Sequence, residues 1–239
     1  ITTKKGRADK TTVTYSNNTT FSDPMMMPKF QNTYGNMTGE MMSWGLETDN
    51  RYDPANFFNT GSNVSNALSL STGNDKSQSY ISVATTNATG IMPNNDYDRY
   101  NFSFRNTTNF LNNKFILDTS ANYIIQNDKN MVSQGQYFNP LTSLYLFPRG
   151  EDFSDVAVYE RYDDLSGVNT QYWPYGDLGG VSSQNPYWIM NRMNRENDRR
   201  RYKLAASLQY NIIEGLNVQG LNIKDVDDVD KYCYYVAGV

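Results

Sequence analysis

Few side chains of this sequence have the types and spacing that enzyme chemistry requires. The 239 residues contain no His and a single Cys, Cys233. A Ser or Cys nucleophile therefore lacks the imidazole that commonly serves as its base, and a histidine metal site is excluded. We accordingly expect no enzyme activity, no cofactor and no bound metal.

The acidic side chains come in two groups. Asp163 and Asp164 are adjacent, and residues 225–230 have the sequence DVDDVD. Glycoside hydrolysis needs two carboxylates about 5–10 Å apart on either side of a sugar, and neighbouring acids on a loop do not indicate that geometry. Residues 225–230 also lack the Gly and the ligand pattern of an EF-hand loop. Solvated surface charge is the expected role, with a weak calcium site as the alternative.

A basic run extends over Arg192–Lys203 and is diluted by Asn, Glu196 and Asp198. One interpretation is a patch that binds anionic phosphate groups. The interpretation that we favour is a solvated junction between a loop and a strand. Because the net charge of the whole chain is −4, we expect no nucleic-acid partner.

Aromatic residues form the best candidate for a ligand site. Tyr172, Trp173, Tyr175 and Trp188 fall within one long connection between predicted strands. Aromatic faces stack on sugar rings and bury area at low entropic cost. We therefore predict these four as candidate substrate-binding residues. Docking onto a partner protein and packing within the loop are the alternatives.

The elements that must position these side chains are predicted to be β-strands. Alternation with a period of two is clearest at 114–125 and 202–213, and a third strand is predicted at 100–111. Weaker alternation predicts strands at 11–21, 64–73, 79–86 and 216–224. A phase slip near Gly220 indicates either a bulge or an incorrect strand assignment. Since no segment has a convincing helical period, we expect an all-β antiparallel fold.

The connections between these predicted strands alternate in length. Tight turns are predicted at 74–77, 112–113 and 214–215, and longer connections at about 22–63, 87–98 and 127–200. If consecutive strands are neighbours, the short turns lie at one edge of the sheet and the long loops at the other. This is typical of a transmembrane β-barrel with long external loops. A soluble sandwich rarely carries a loop of about 70 residues, so we favour the barrel.

The barrel also explains the composition of the chain. The mean hydropathy of −0.69 is low, yet the sequence has 19 Tyr, 11 Phe and 3 Trp. Barrel strands place apolar side chains toward lipid and polar ones toward the lumen, so their average is polar. Tyr at strand ends suits the headgroup boundary, and the candidates are Tyr100, Tyr123, Tyr202 and Tyr210.

Short motifs of the sequence occur in an order that is similar to that of one family. They are ITTKKG (1–6), QNTYGN (31–36), SWG (43–45), YDPANFFNTG (52–61), GIMPNNDYDRYNFSFRNT (90–107), NPLTSLYLFPRGEDF (139–153) and QNPYWIMNR (184–192). On these motifs the chain resembles the SusC/RagA-type TonB-dependent outer-membrane transporters. The match extends over nearly the whole chain and is loose only at residues 220–239.

The resemblance implies a domain organisation and a cellular role. Residues 1–10 would end a plug domain, and residues 11–239 would form the N-terminal part of a barrel of roughly 22 strands. The implied location is the bacterial outer membrane, where the barrel contacts lipid. The implied partners are a SusD-like lipoprotein lid and TonB, the latter through an N-terminal part that this chain lacks. The implied activity is gated import of an oligosaccharide, or alternatively of a peptide.

Two other classes of protein stay open at this point. A soluble β-sandwich acting as a carbohydrate-binding module would have a dry core between two sheets. A small outer-membrane barrel or adhesin would be complete without a plug domain.

Overall fold

The structure is a computed structural model that describes residues 9–50, 52–175, 183–214 and 216–235, with side chains described as far as residue 231. These residues form nine strands, two α-helices and two 3-10 helices. The strands are β1 (Thr12–Ser22), β2 (Gly61–Gly73), β3 (Ser77–Thr89), β4 (Asp96–Phe110), β5 (Phe115–Lys129), β6 (Glu160–Asp163), β7 (Val168–Gln171), β8 (Met193–Ile213) and β9 (Leu216–Tyr235). The helices are α1 (Pro140–Leu146) and α2 (Pro186–Arg192), with 3-10 helices at Pro54–Phe57 and Phe153–Ala157.

Seven long strands form one antiparallel sheet in the order β1-β2-β3-β4-β5-β8-β9. Each strand pairs with the next long strand of the chain, and β6 and β7 form a separate hairpin between β5 and β8. All seven strands expected from alternation are therefore present. The prediction of an all-β antiparallel sheet is confirmed, and its strands are long enough for a segment of barrel wall.

The largest differences from the predicted strand boundaries are in β8 and β9. β8 begins at Met193 and β9 continues to Tyr235, so the ladder between them is much longer than expected. Charged side chains in both segments hide the alternation on which the prediction relied. The basic run begins at the junction between α2 and β8, as the favoured interpretation expects, but residues 193–203 all lie inside the strand. The bulge is also displaced, since Gly220 pairs regularly with Leu208 and the register shifts between Asn211 and Ile213.

The lengths of the connections agree with the prediction in two of three cases. The loops 23–60 and 130–192 are long, as expected. The third connection, predicted at 87–98, is only 90–95, because β3 and β4 extend further than their apolar alternation shows. Gly90 closes this short turn by donating its backbone N–H to the carbonyl of Asn95 at 2.8 Å. The three loops still lie at one end of the sheet, and the turns after β2, β4 and β8 lie at the other.

The α-helices begin at matching sequence signals. The side chain of Asn139 accepts a hydrogen bond from the backbone of Leu141, and that of Asn185 accepts from Tyr187, with Pro at the first helical position in both. Asn caps and Pro at this position favour helix initiation. Each helix has only seven residues, too few to produce a helical period in the sequence. Among the described residues, no helix is both long and apolar enough to cross a membrane.

The hydrophobic core lies in the loops rather than on the sheet. Its buried members are Tyr52, Phe57, Met92, Leu144, Phe147, Phe153, Val156, Trp188, Ile189, Met190 and Met193. All three loops contribute, and Met193 is the first residue of β8. Within the described chain, the faces of the seven-stranded sheet contribute no other buried apolar side chain.

Candidate membrane-facing surface and external loop core

The register of the sheet aligns apolar side chains into continuous rows on one face. One row contains Tyr15, Leu68, Val83, Phe102, Tyr123 and Tyr202, and the next contains Val13, Leu70, Ile81, Phe104, Ala121 and Leu204. We call the face that carries these rows the apolar face. Its side chains are exposed, with 43% of Phe102 and 48% of Leu204 accessible. An apolar surface of this size without a protein cover is unusual for a soluble monomer.

Aromatic pairs mark the two ends of the apolar face. Near the short turns Phe115 stacks on Tyr210, with ring centroids 4.6 Å apart, and toward the loops Phe102 faces Tyr123 at 6.5 Å. The eight residue steps from Phe115 to Tyr123 along β5 rise about 27 Å, or about 21 Å for a strand tilted by about 40°. The apolar band of outer-membrane barrels is about 25 Å tall with aromatic girdles at its edges. Along β5 the distance between the aromatic pairs is close to the height of this band. On β3 and β4 the same interval contains the polar residues Ser77, Ser79, Asn106 and Thr108.

The apolar face becomes charged on the loop side of the row that contains Phe102 and Tyr123. Toward the loops, Asp98, Asn127 and Asp198 are cross-strand neighbours on the apolar face. The alternation also weakens on β9. There Lys224 is the cross-strand neighbour of Leu204 and places a charged side chain on the apolar face. The apolar surface is therefore bounded at the loop end and at β9.

The opposite, polar face carries ion pairs between neighbouring strands. Arg105 binds Asp118 through two nitrogens, at 3.0 and 2.5 Å. Arg201 binds Asp225 in the same way at 2.9 and 2.6 Å, and Arg199 binds Asp227.

The acidic segment 225–230 lies in β9, where alternation puts Asp225 and Asp227 on the polar face and Asp228 and Asp230 on the apolar face. Both carboxylates on the polar face are bound by arginines of β8. Across the described residues, no group of three or more His, Cys, Asp or Glu side chains is placed to hold a metal ion.

A buried arginine joins the two long loops. Arg149 is 5% exposed and faces the rings of Phe30 at 4.3 Å and Tyr52 at 4.4 Å. Its guanidinium donates to the carbonyls of Phe147 at 2.7 Å and Tyr145 at 3.0 Å. No carboxylate of the described chain is close enough to pair with it. Burial lowers the pKa of Arg149, and the neighbouring Tyr52 partly offsets this decrease.

Tyr52 also connects these loops. Its hydroxyl donates to the carbonyl of Leu144, and burial raises its pKa above the usual value. Gly35 and Gly150 meet so closely that a Cβ on Gly35 would lie 2.9 Å from the Cα of Gly150. The two loops therefore form one packed unit, which we call the loop core.

The four predicted site residues all lie in or against the loop core. Trp188 is 0% exposed. Trp173 is half-buried, donates to the Ser183 hydroxyl at 3.0 Å and packs edge-on against Tyr175 with centroids 5.2 Å apart. Tyr172 lies under Arg161, whose guanidinium carbon is 3.3 Å from the ring centre.

Tyr172, Trp173 and Tyr175 are thus neighbours at the surface of the loop core, whereas Trp188 packs inside it. Burial raises the pKa of Tyr175 from 10.0 to about 12. The complete burial of Trp188 agrees with the packing alternative, and substrate contact by the four residues stays a prediction.

Sequence reasoning missed Asn185, which organises the neighbourhood of these aromatics. Its side-chain amide donates to the carbonyls of Val156 at 2.7 Å and Tyr172 at 2.9 Å, while its oxygen caps α2. The signal for it was present, because Asn followed by Pro is typical of a helix start.

Part of the predicted organisation lies outside the described residues. The assignment of residues 1–10 to the end of a plug domain falls mostly on residues 1–8, which are outside them. Of the remaining two residues, Asp9 donates its backbone N–H to the carbonyl of Gly73 at 2.9 Å. The predicted domain division is therefore untested.

Comparison with known proteins reveals similarity in structure. No protein-family model and no curated protein matches the chain. The chain is similar to a chain of the RagAB peptide importer in its closed-closed state, with a TM-score of 0.62 and 14% identity over 99% of this chain and 31% of that one. For the open-open state of the same importer, the TM-score is 0.61 with 16% identity over 95% and 29%. Nearly all of this chain therefore shares its fold with less than a third of a RagAB importer chain.

Proposed function

We propose that this chain forms part of the wall and of the external loops of a TonB-dependent nutrient importer in the bacterial outer membrane. The observation that carries the proposal is the exposed apolar face, whose two aromatic pairs are separated along β5 by about the height of the apolar band of a membrane barrel. Water around this face would be unfavourable by about 25 cal/mol for each Å². Lipid removes that cost, and the polar face would line the lumen.

The edges of the sheet support the same proposal. Within the described chain, β1 and β9 each pair on one side only. Unpaired backbone groups cost several kcal/mol each in a bilayer, so membrane sheets close into barrels. Further strands of a longer protein would complete the barrel. The 29–31% coverage of the RagAB chains agrees with this.

The partners and the cargo follow from the family resemblance and the comparison. A SusD-like lipoprotein would cover the loop core, and TonB would act on a plug domain. The resemblance implies oligosaccharide cargo with peptide as the alternative, and the RagAB neighbours support the peptide. Cargo would bind outside, the plug would rearrange, and the cargo would enter the periplasm without chemical change.

The other classes gain no support from the structure. A soluble sandwich needs a second sheet over the first, and the described residues offer only the two short strands β6 and β7. No observation favours a small barrel or adhesin over part of a larger importer.

A pair of adjacent substitutions tests the proposal in the complete protein. Ala206 lies on the apolar face between Thr119 and Asn222, midway between the two aromatic pairs, and Ala205 lies on the polar face between Ser120 and Ile223. A Lys facing lipid costs about 2–4 kcal/mol near the bilayer centre. We expect Ala206→Lys to reduce heat-modifiable barrel in outer-membrane fractions and Ala205→Lys to leave it near the wild-type amount.

Cargo uptake in a strain lacking TonB is measured alongside. A protein that is soluble without detergent, or that assembles equally well with either Lys, contradicts the membrane proposal. Uptake that persists without TonB contradicts the transporter assignment.

A further inference from the structure

The polar face of the sheet contains a depression of about 320 Å³. It is lined by Asn101, Ser103, Asn122, Ile124, Arg201 and Lys203. The register explains their proximity, since Ser103, Asn122 and Lys203 form one cross-strand row and Asn101, Ile124 and Arg201 form the next. Three strands therefore supply six neighbouring side chains, all of them polar except Ile124.

Most of these groups are hydrogen-bond donors without an acceptor. Within the described residues, Lys203, Asn122 and Ser103 make no side-chain hydrogen bond or ion pair. The side-chain oxygen of Asn101 accepts from Arg99 at 3.0 Å, so its amide nitrogen stays available to donate. An ammonium, two amides and a hydroxyl thus surround the depression.

The charges around the depression favour an anion. Arg201 gives both of its bonds to Asp225, at 2.9 and 2.6 Å. Asp225 is the cross-strand neighbour of Lys203, but both of its oxygens are bound by Arg201. Arg99 has no carboxylate partner among the described ion pairs. Arg201 also has Asp227 as its cross-strand neighbour, and Asp227 is bound by Arg199. The four cations Arg99, Arg199, Arg201 and Lys203 therefore outnumber the two carboxylates Asp225 and Asp227, and a concave wall concentrates such a potential.

We propose that this depression is a carboxylate-binding subsite for cargo passing along the lumen, an inference that rests on the proposed function. A carboxylate accepts strong charge-assisted hydrogen bonds from an ammonium and from amides. The depression lies level with Phe102 and Tyr123, at the outer end of the apolar face, where cargo would enter. The preferred cargo is thus acidic: a peptide with a free carboxylate or an oligosaccharide with uronic acids.

Calorimetry on the complete purified protein tests the subsite with matched probes. One pair is a tripeptide with a C-terminal acid or amide, and the other is trigalacturonate or its methyl ester. We expect the wild type to bind the acid form of at least one pair about tenfold more tightly, the effect of one hydrogen bond to a charged group. This preference should fall as salt concentration rises.

Two variants and a control identify the residue responsible. Lys203→Met should remove the acid preference, and Lys203→Arg should retain it. Lys224→Met removes the same charge from the apolar face and should leave the preference unchanged. Equal binding of both forms by the wild type, or a preference that survives Lys203→Met, overturns the subsite.

A carboxylate of the protein itself could also occupy the depression. In that case Lys203→Met would lower the melting temperature of the cargo-free protein and leave the acid preference unchanged, which overturns a cargo site. The proposed function fails separately, through loss of outer-membrane assembly. A protein that assembles but binds both probe forms equally overturns the subsite alone.

Discussion

The guanidinium of Arg149 lies over the ring of Tyr52, with 4.4 Å between its central carbon and the ring centre. The two residues come from the two long loops, which are far apart in sequence. A cation over an aromatic ring is stabilised most when both are shielded from water. This pair therefore joins the two loops through a cation–π contact rather than through an ion pair.

Substitution of Arg149 should loosen the loop core. Arg149→Met removes two hydrogen bonds to carbonyls and two aromatic contacts, so we expect the loop core to lose about 2–4 kcal/mol. Faster proteolysis and faster hydrogen exchange in residues 23–60 and 130–192 would reveal this loss of stability. Arg161→Met is the control, because Arg161 also lies over a Tyr but is exposed. If Arg149→Met and Arg161→Met lower the stability of the loop core equally, burial does not explain the contribution of Arg149.

Alkaline pH should destabilise the loop core. The pKa of Tyr175 is raised by burial from 10.0 to about 12, and burial raises that of Tyr187 as well. An unfolded Tyr loses its proton near pH 10, whereas the folded one keeps it, so stability is full below pH 10 and falls between about pH 10 and 12. Hydrogen exchange of the loops across this interval measures the fall. Tyr175→Phe should make it shallower, and an unchanged slope would contradict the assignment.

The close approach of Gly35 and Gly150 should tolerate no side chain. Gly35→Ala would place a Cβ 2.9 Å from the Cα of Gly150, and forcing backbones apart in a packed site typically costs about 1–3 kcal/mol. Thermal unfolding of the loops should shift downward accordingly. Gly220→Ala is the matched control, since nothing lies within 4 Å of a Cβ there. A stable Gly35→Ala protein would show that the loops can separate.

The two tryptophans of the predicted ligand site should respond differently. Trp188 is fully buried, so Trp188→Ala should cost about 3–5 kcal/mol of stability. Trp173 is half-buried, so Trp173→Ala should cost less and, if it contacts cargo, should weaken cargo binding in the folded protein. Melting curves and calorimetry with cargo separate the two effects. Unchanged cargo affinity in Trp173→Ala would leave loop packing as its role.

Alternation made the sheet predictable wherever one face was apolar. β5 and the second half of β8 were found because Leu117, Tyr123 and Leu204 occupy every second position there. The first half of β8 was missed, since Arg199 and Arg201 make ion pairs with β9 that a single strand does not reveal. Pairing between strands, rather than the alternation within one of them, sets those boundaries.

The loop core was far less predictable than the sheet. Arg149 has the appearance of an ordinary surface charge in the sequence, and its burial depends on rings contributed from more than 90 positions away. The burial of Trp188 depends in the same way on contacts between loops. The sequence places the four aromatic residues in one long connection, but which of them are buried depends on tertiary contacts.

The location of the buried core has an evolutionary consequence. Except for Met193, its buried apolar side chains come from the loops rather than from the sheet. Under the proposed function, substitutions in the loops would therefore change the external surface and leave the apolar face as it is. Recognition of a new nutrient could then evolve separately from insertion into the membrane.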